Sequence, residues 1–240
     1  LKAQGIQTEF GKNRVQYTRD FDEWLQYESQ NFITYWYGEG RMIGQAAVMI
    51  AEEEHDEIQQ LLEHRMNDKI EILVYTDLTD LKQSNIGTED AFTNVTGKTK
   101  IYGNKIFVYF NGDHQDFRRQ IREGIAEVYL DAMLFGGNLQ KYVQNAILFN
   151  MPVWFKEGLI AYIGDEWNTE TDDRLRALFQ QEGITSFDDV VKKDPELAGH
   201  AFWYFLSRQF GKTSVANILY IARIYRDVEE GMLYVLGTSF

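Results

Sequence analysis

The side chains that could do chemistry gather in two stretches of helical pattern. The first is R-E-G-I-A, Arg122 to Ala126, on a segment whose apolar residues Phe117, Ile121, Ile125, Val128 and Ala132 recur at helical spacing. The second is W-F-K-E-G-L-I-A-Y, Trp154 to Tyr162. Each carries one carboxylate, Glu123 and Glu157. Two carboxylates alone make a weak site for a hard cation, because catalytic zinc takes three protein ligands and leaves the fourth position to water. The histidines are His55, His64, His114 and His200. His55 and His64 lie in a charged run and miss the i, i+4 separation that sets two imidazoles on one helix face. His114 sits in a turn ahead of the first stretch, and His200 falls on a later helix.

Other chemistries find less support. Gly211-Lys212-Thr213 and Gly97-Lys98-Thr99 end like phosphate loops, but the glycine that should open each loop is Leu206 in one and Phe92 in the other. Ser207 lies on a helical pattern without a nucleophile elbow. Asp116 with Glu123 or Glu127 would form a carboxylate pair of the glycosidase kind, yet acids on exposed helix turns are ordinarily just solvated.

Taken together, the two stretches resemble the zinc-binding core of a gluzincin metallopeptidase, of the thermolysin and aminopeptidase type. In that family one helix carries H-E-x-x-H, and a later helix supplies the third ligand within W-[FL]-x-E-G-x-A-x-Y. The second half is nearly complete here in Trp154, Phe155, Glu157, Gly158, Leu159, Ala161 and Tyr162. In the first half, Arg122 and Ala126 stand where the two histidines belong. Alanine has no lone pair to give, and a permanently charged guanidinium repels a dication. What the resemblance implies is therefore a pseudopeptidase with no zinc and no other cofactor. Glu123 is its vestigial general base; Arg122, Ala126 and Glu157 are vestigial ligand positions. An active metallohydrolase with an altered ligand set (Glu123, Glu157 and His200 or His114) is the alternative.

The same resemblance implies a thermolysin-like α+β fold, a small mixed sheet lobe followed by a mostly helical lobe. It makes Ile106 to Phe110 a cleft-side edge strand and Ala198 to Leu206 a cleft-closing helix. Arg122, Glu123, Glu157, Tyr162, His200, Phe107 and Tyr109 then become candidate cleft residues, and an extended peptide or a protein the expected partner, added to that strand by β-augmentation. With the cation gone, Arg122 is expected to pair with Glu157. Relatives are typically exported to the bacterial envelope, some with a β-propeller after the domain. The opening Leu1-Lys2-Ala3-Gln4-Gly5 fits the remnant of a processed leader.

Composition narrows the field. Thirty-seven acids against 24 bases give a net charge of −13, which disfavours nucleic acid, since phosphate neutralisation needs clustered Lys and Arg. There is no cysteine, so thiolate metal sites, disulfides and thiol catalysis are excluded. The longest apolar run, Met42 to Ala51, is too short to span a bilayer.

The elements that must position these residues follow from pattern. Strands are expected at Asn31 to Tyr37, Ile70 to Thr76 and Ile106 to Phe110, with an extended lead-in over 6–20. A long helix is expected from Arg41 to Met66, and a loop with a short helix over 79–99. Helices follow over 116–135 and 139–148, from Pro152 onward, and around 174–179, 195–210 and 215–225, with a last segment through Leu236. Strands first and helices second read as α+β. The boundary between the lobes is set at 135/136, giving an N-terminal α+β lobe of 1–135 and a helical lobe of 136–240.

Overall fold

In Phe32, Thr34 and Trp36 alternate residues are buried, and the same period-two alternation runs through Ile70, Ile72 and Val74. That is the mark of strands seated on a covered face. A computed structural model of the protein describes residues 24–83, 100–136, 151–181 and 183–237. The lead-in at 6–20, the helix at 139–148 and most of the stretch 79–99 lie outside these residues.

The chain is mixed α+β, a small sheet followed by helices. The strands are β1 (Trp24–Glu28), β2 (Phe32–Tyr37), β3 (Ile70–Tyr75), β4 (Lys100–Tyr102) and β5 (Lys105–Tyr109). The helices among the described residues are α1 (Arg41–Leu62), α2 (Leu78–Gln83), α3 (His114–Phe135), α4 (Val153–Gly164), α5 (Thr169–Phe179), α6 (Phe187–Lys193), α7 (Pro195–Phe210), α8 (Thr213–Tyr225) and α9 (Val228–Leu236). These residues fall into two compact units. One is drawn from Leu1–Asp56 and Met66–Val128, the other from Glu57–Arg65 and Tyr129–Phe240.

The first unit holds the sheet, ordered β1-β2-β3-β5-β4, with β2, β3 and β5 parallel and the two outer strands antiparallel to their neighbours. This corrects the expectation for Ile106 to Phe110. The strand is not an edge, because β4 lies outside it and pairs Lys100 with Phe107 and Tyr102 with Lys105. A three-residue strand closed by Gly103, at φ 63°, carries too little pattern to be seen in the sequence. One sheet face meets α1: a Cβ on Gly44 would lie 2.5 Å from the Trp36 ring, and His55 sits edge-on to Phe32 at 5.6 Å. The other face gathers Tyr37, Tyr75, Phe107 and Tyr109 with Leu81 of α2. There Tyr37 donates to Asp80 and takes the Thr76 amide at 3.0 Å. Burial and then the Asp80 bond push its phenol pKa up.

The second unit is helical, and its tightest feature is a glycine crossing. A Cβ on Gly158 of α4 would overlap the Gly199 backbone of α7 and approach the His200 nitrogen to 2.8 Å; one on Gly199 would overlap the Trp154 carbonyl. Two helices approach this closely only where neither carries a side chain. Beside the crossing, Trp203 Nε1 donates to the Phe155 carbonyl at 2.9 Å, and Trp154 sets edge contacts with Phe187 and Phe202 at 5.2 Å. Asp194 ends α6 and caps α7 by accepting the Leu197 amide at 3.0 Å, with Pro195 in the first turn. No described helix is long and apolar enough to cross a membrane.

Candidate functional site

Helix α3 starts where Asp113 accepts the amides of Gln115 at 2.8 Å and Asp116 at 3.3 Å. Asp116 follows in the first turn, where the positive end of the helix dipole favours an acid. From there the i, i+4 geometry sorts the polar residues onto two faces.

One face carries Arg118, Arg122 and, a turn on, the fully buried Ala126. Arg118 Nε and Arg122 Nη1 each bond one oxygen of Glu54, an α1 residue that is itself buried. The Arg122 guanidinium, at the first of the expected ligand positions, is thus paired from α1. Arg122 and Glu54 have side chains only 11% and 9% exposed, against 56% for Arg118. The second face carries Asp116, Arg119, Gln120 and Glu123. Arg119 bonds Asp116 through Nη2 and Glu123 through Nη1 at 3.1 Å. Burial works against the charge on Arg119, but Glu123 and Asp116 together outweigh it and hold its pKa above the ordinary arginine value.

Gln120 does something different. Its Oε1 accepts the Tyr109 amide at 3.0 Å, and its Nε2 donates to the Tyr109 carbonyl at 3.1 Å and to Asp116 Oδ2 at 2.9 Å. Since only nitrogen can serve two acceptors, the orientation of the carboxamide is settled by its partners.

The side chains of Phe107 and Tyr109, expected to line a cleft, are instead packed into the aromatic core with Tyr37 and Tyr75. Their strand alternation turns them to that face, and the Tyr109 backbone is bonded from α3 by Gln120. His114 opens α3, with its ring 5.1 Å from Phe110.

In the second unit, Glu157 and Tyr162 are half-buried on α4 and His200 is buried on α7. The His200 ring lies 5.2 Å from Trp167 and 6.3 Å from Tyr162, and hydrogen-bonds the Asp165 backbone. Burial pulls its pKa down to about 4, which the Asp165 bond only partly offsets. The expected Arg122–Glu157 pair would join residues of different units and stays an expectation.

Sequence reasoning missed Glu54, Arg118, Arg119 and Gln120. Arg118 and Arg122, four apart, opposite an acid-rich α1 offered a signal for the Glu54 pairing. Nothing in the sequence marks Gln120. Among the described residues, no group of three or more His, Asp or Glu is arranged to hold a metal ion. No protein-family model matches the chain, and no curated protein matches it.

Proposed function

We propose that the protein is a metallopeptidase-like domain of thermolysin type that does not catalyse and serves as a binding or scaffolding module for an extended peptide or a protein. The observation that carries this reading is the bonding of the R-E-G-I-A helix. At the first histidine position stands Arg122, engaged by Glu54; at the second stands Ala126, fully buried; and the base position, Glu123, is bonded by Arg119. Of the groups that would face a metal in the resembled family, the two histidines are replaced and the base is held in an ion pair, while the carboxylate of Glu157 is kept. A carboxylate held by a guanidinium is a poor general base, because the pairing favours its charged form and weakens its pull on a proton. The same reading takes the protein as exported to a bacterial envelope, ahead of a β-propeller, with no nucleic-acid partner.

Metal analysis and a peptidase assay test it. Protein incubated with zinc and desalted is expected to hold far less than one equivalent and to leave generic peptides uncleaved. Arg122→His with Ala126→His restores the ligand types and is expected to raise zinc retention. Stoichiometric zinc in the unaltered protein, with chelator-sensitive proteolysis abolished by Glu123→Gln, would sink the proposal.

A further inference from the structure

The turn between α8 and α9 brings two exposed phenols together. Arg226 ends α8 in the left-handed conformation, at φ 57°, and Asp227 caps α9 by accepting the amides of Glu229 at 2.7 Å and Glu230 at 3.1 Å. Gly231 then lets the two helices close, since a Cβ there would lie 2.8 Å from the Ile218 carbonyl oxygen. This sets Tyr225, the last residue of α8, against Tyr234 of α9, nine positions on. Their rings stack at 18° with centroids 5.1 Å apart, and the Tyr225 hydroxyl donates to the Tyr234 oxygen at 3.1 Å. The oxygens are closer than the centroids, so the rings converge toward their hydroxyl ends and the ortho carbons beside each oxygen are drawn together. Both rings are open to solvent, 49% and 60% exposed. Tyr37 and Tyr75 also touch, but both are buried and they cross at 69° with centroids 6.1 Å apart.

We propose that Tyr225 and Tyr234 form a site of oxidative cross-linking, which takes a one-electron oxidant of the haem-peroxidase class with hydrogen peroxide and yields a dityrosine tying α8 to α9. Each phenol gives up one electron and its hydroxyl proton to become a phenoxyl radical, whose unpaired spin is shared between the oxygen and the ortho carbons. The two radicals join through one ortho carbon each, forming a carbon–carbon bond. The hydrogen on each joined carbon then moves to its oxygen, which restores two phenols. The net loss is two ring hydrogens, as two protons and two electrons, and one hydrogen peroxide takes them up to become two waters. Joining turns the rings from stacked to edge-linked, a movement open to side chains this exposed. Preorganisation decides the partner. A phenol already held in contact acts at an effective concentration on the order of millimolar or above, far above that of a second protein molecule in dilute solution. The reaction draws on neither the metallopeptidase resemblance nor a peptide partner, so it stands apart from the proposed function.

Dilute protein treated with a haem peroxidase and hydrogen peroxide, then digested with trypsin, tests the site. Trypsin cuts after Arg223 and Arg226, which places the two tyrosines on separate peptides, Ile224–Arg226 and the one that begins at Asp227. From the monomeric product these are expected to travel as one species with dityrosine fluorescence, lighter than their sum by the two hydrogens lost. Tyr225→Phe and Tyr234→Phe keep the ring and lose the phenol, and each should cut this species on the order of tenfold or more. Tyr220→Phe, at another exposed tyrosine, should leave it unchanged. The proposal is overturned by recovery of the two peptides unlinked, by a main linkage to any other tyrosine, or by cross-linked dimers as the main product. A joined species undiminished in either Phe variant, or cut equally by Tyr220→Phe, also overturns it. Both variants remove only an exposed hydroxyl, and the peptide map of the unaltered protein decides the matter should either fail to fold.

Discussion

Arg122 is the residue on which the non-catalytic reading turns, and its energetics are testable apart from function. Breaking a buried ion pair from one side strands the other charge, at a cost of roughly 3–5 kcal/mol, whereas exposed pairs are worth less than about 1 kcal/mol. Both arginines bond Glu54, but only Arg118 reaches well into solvent. Arg122→Ala is therefore expected to lower unfolding free energy by about 3–5 kcal/mol and Arg118→Ala by under about 1 kcal/mol, read from urea titrations. Equal effects would show that burial does not set the worth of the pair. His200 gives a second prediction. Its folded pKa, about 4, lies below the ordinary histidine value of 6.5, so the unfolded chain takes up the proton first as pH falls. Stability is then full above about pH 6.5 and falls between there and about pH 4, by on the order of 3 kcal/mol for a shift of this size. His200→Leu should flatten that limb of the stability–pH curve; an unchanged limb would assign the acid sensitivity to other groups.

Among the elements, the α4–α7 crossing makes the sharpest demand. A methyl group on Gly199 would fall on the Trp154 carbonyl, a backbone atom with no rotamer to yield. Overpacking a core costs about 1–3 kcal/mol even where side chains can give way, so Gly199→Ala should cost at least that much. A melting temperature within a degree or two of the parent would mean the helices separate freely. How far such elements could be read from the sequence depended on length and burial. Strands β2, β3 and β5 and helices α1, α3, α7 and α8 lie within a few residues of expectation, because each has a long or strongly alternating apolar pattern. Helix α1 ends at Leu62 rather than Met66, where Glu63 takes a positive φ of 47° that no local pattern announces. Strand β1 was missed because all five residues are exposed and no alternation marks it. Helix α6 was missed for its seven-residue length, although Ser186 and Asp189 form a capping box at its start. At the candidate site, the residue types at the expected ligand positions were legible. Their partners were not, since Glu54 and Gln120 act through contacts set by how α1 and β5 meet α3.

At the scale of the whole molecule, the compact units do not follow the order of the chain. The nine residues Glu57–Arg65 end and follow α1, yet they belong with everything after Val128. Gln59 accepts from the Tyr129 hydroxyl at 3.4 Å, and His64 lies edge-on to the same ring at 6.3 Å. A fragment of residues 136–240 lacks both of these segments of its own unit. It is expected to show poorly dispersed amide resonances and a broad, weakly cooperative melt, and a sharp two-state transition would show the helical part to be self-sufficient.

The glycine crossing has one more consequence, for diagnosis. Within W-F-K-E-G, the Trp154 carbonyl forms the floor under Gly199, the Phe155 carbonyl receives the Trp203 indole, and Gly158 must lack a side chain. None of these mechanical duties involves a cation. Such a string can be kept for its fit alone, and finding it in a sequence says little about whether a protein cuts peptides. The letters to weigh against it are those at 122 and 126, Arg and Ala, which carry no imidazole.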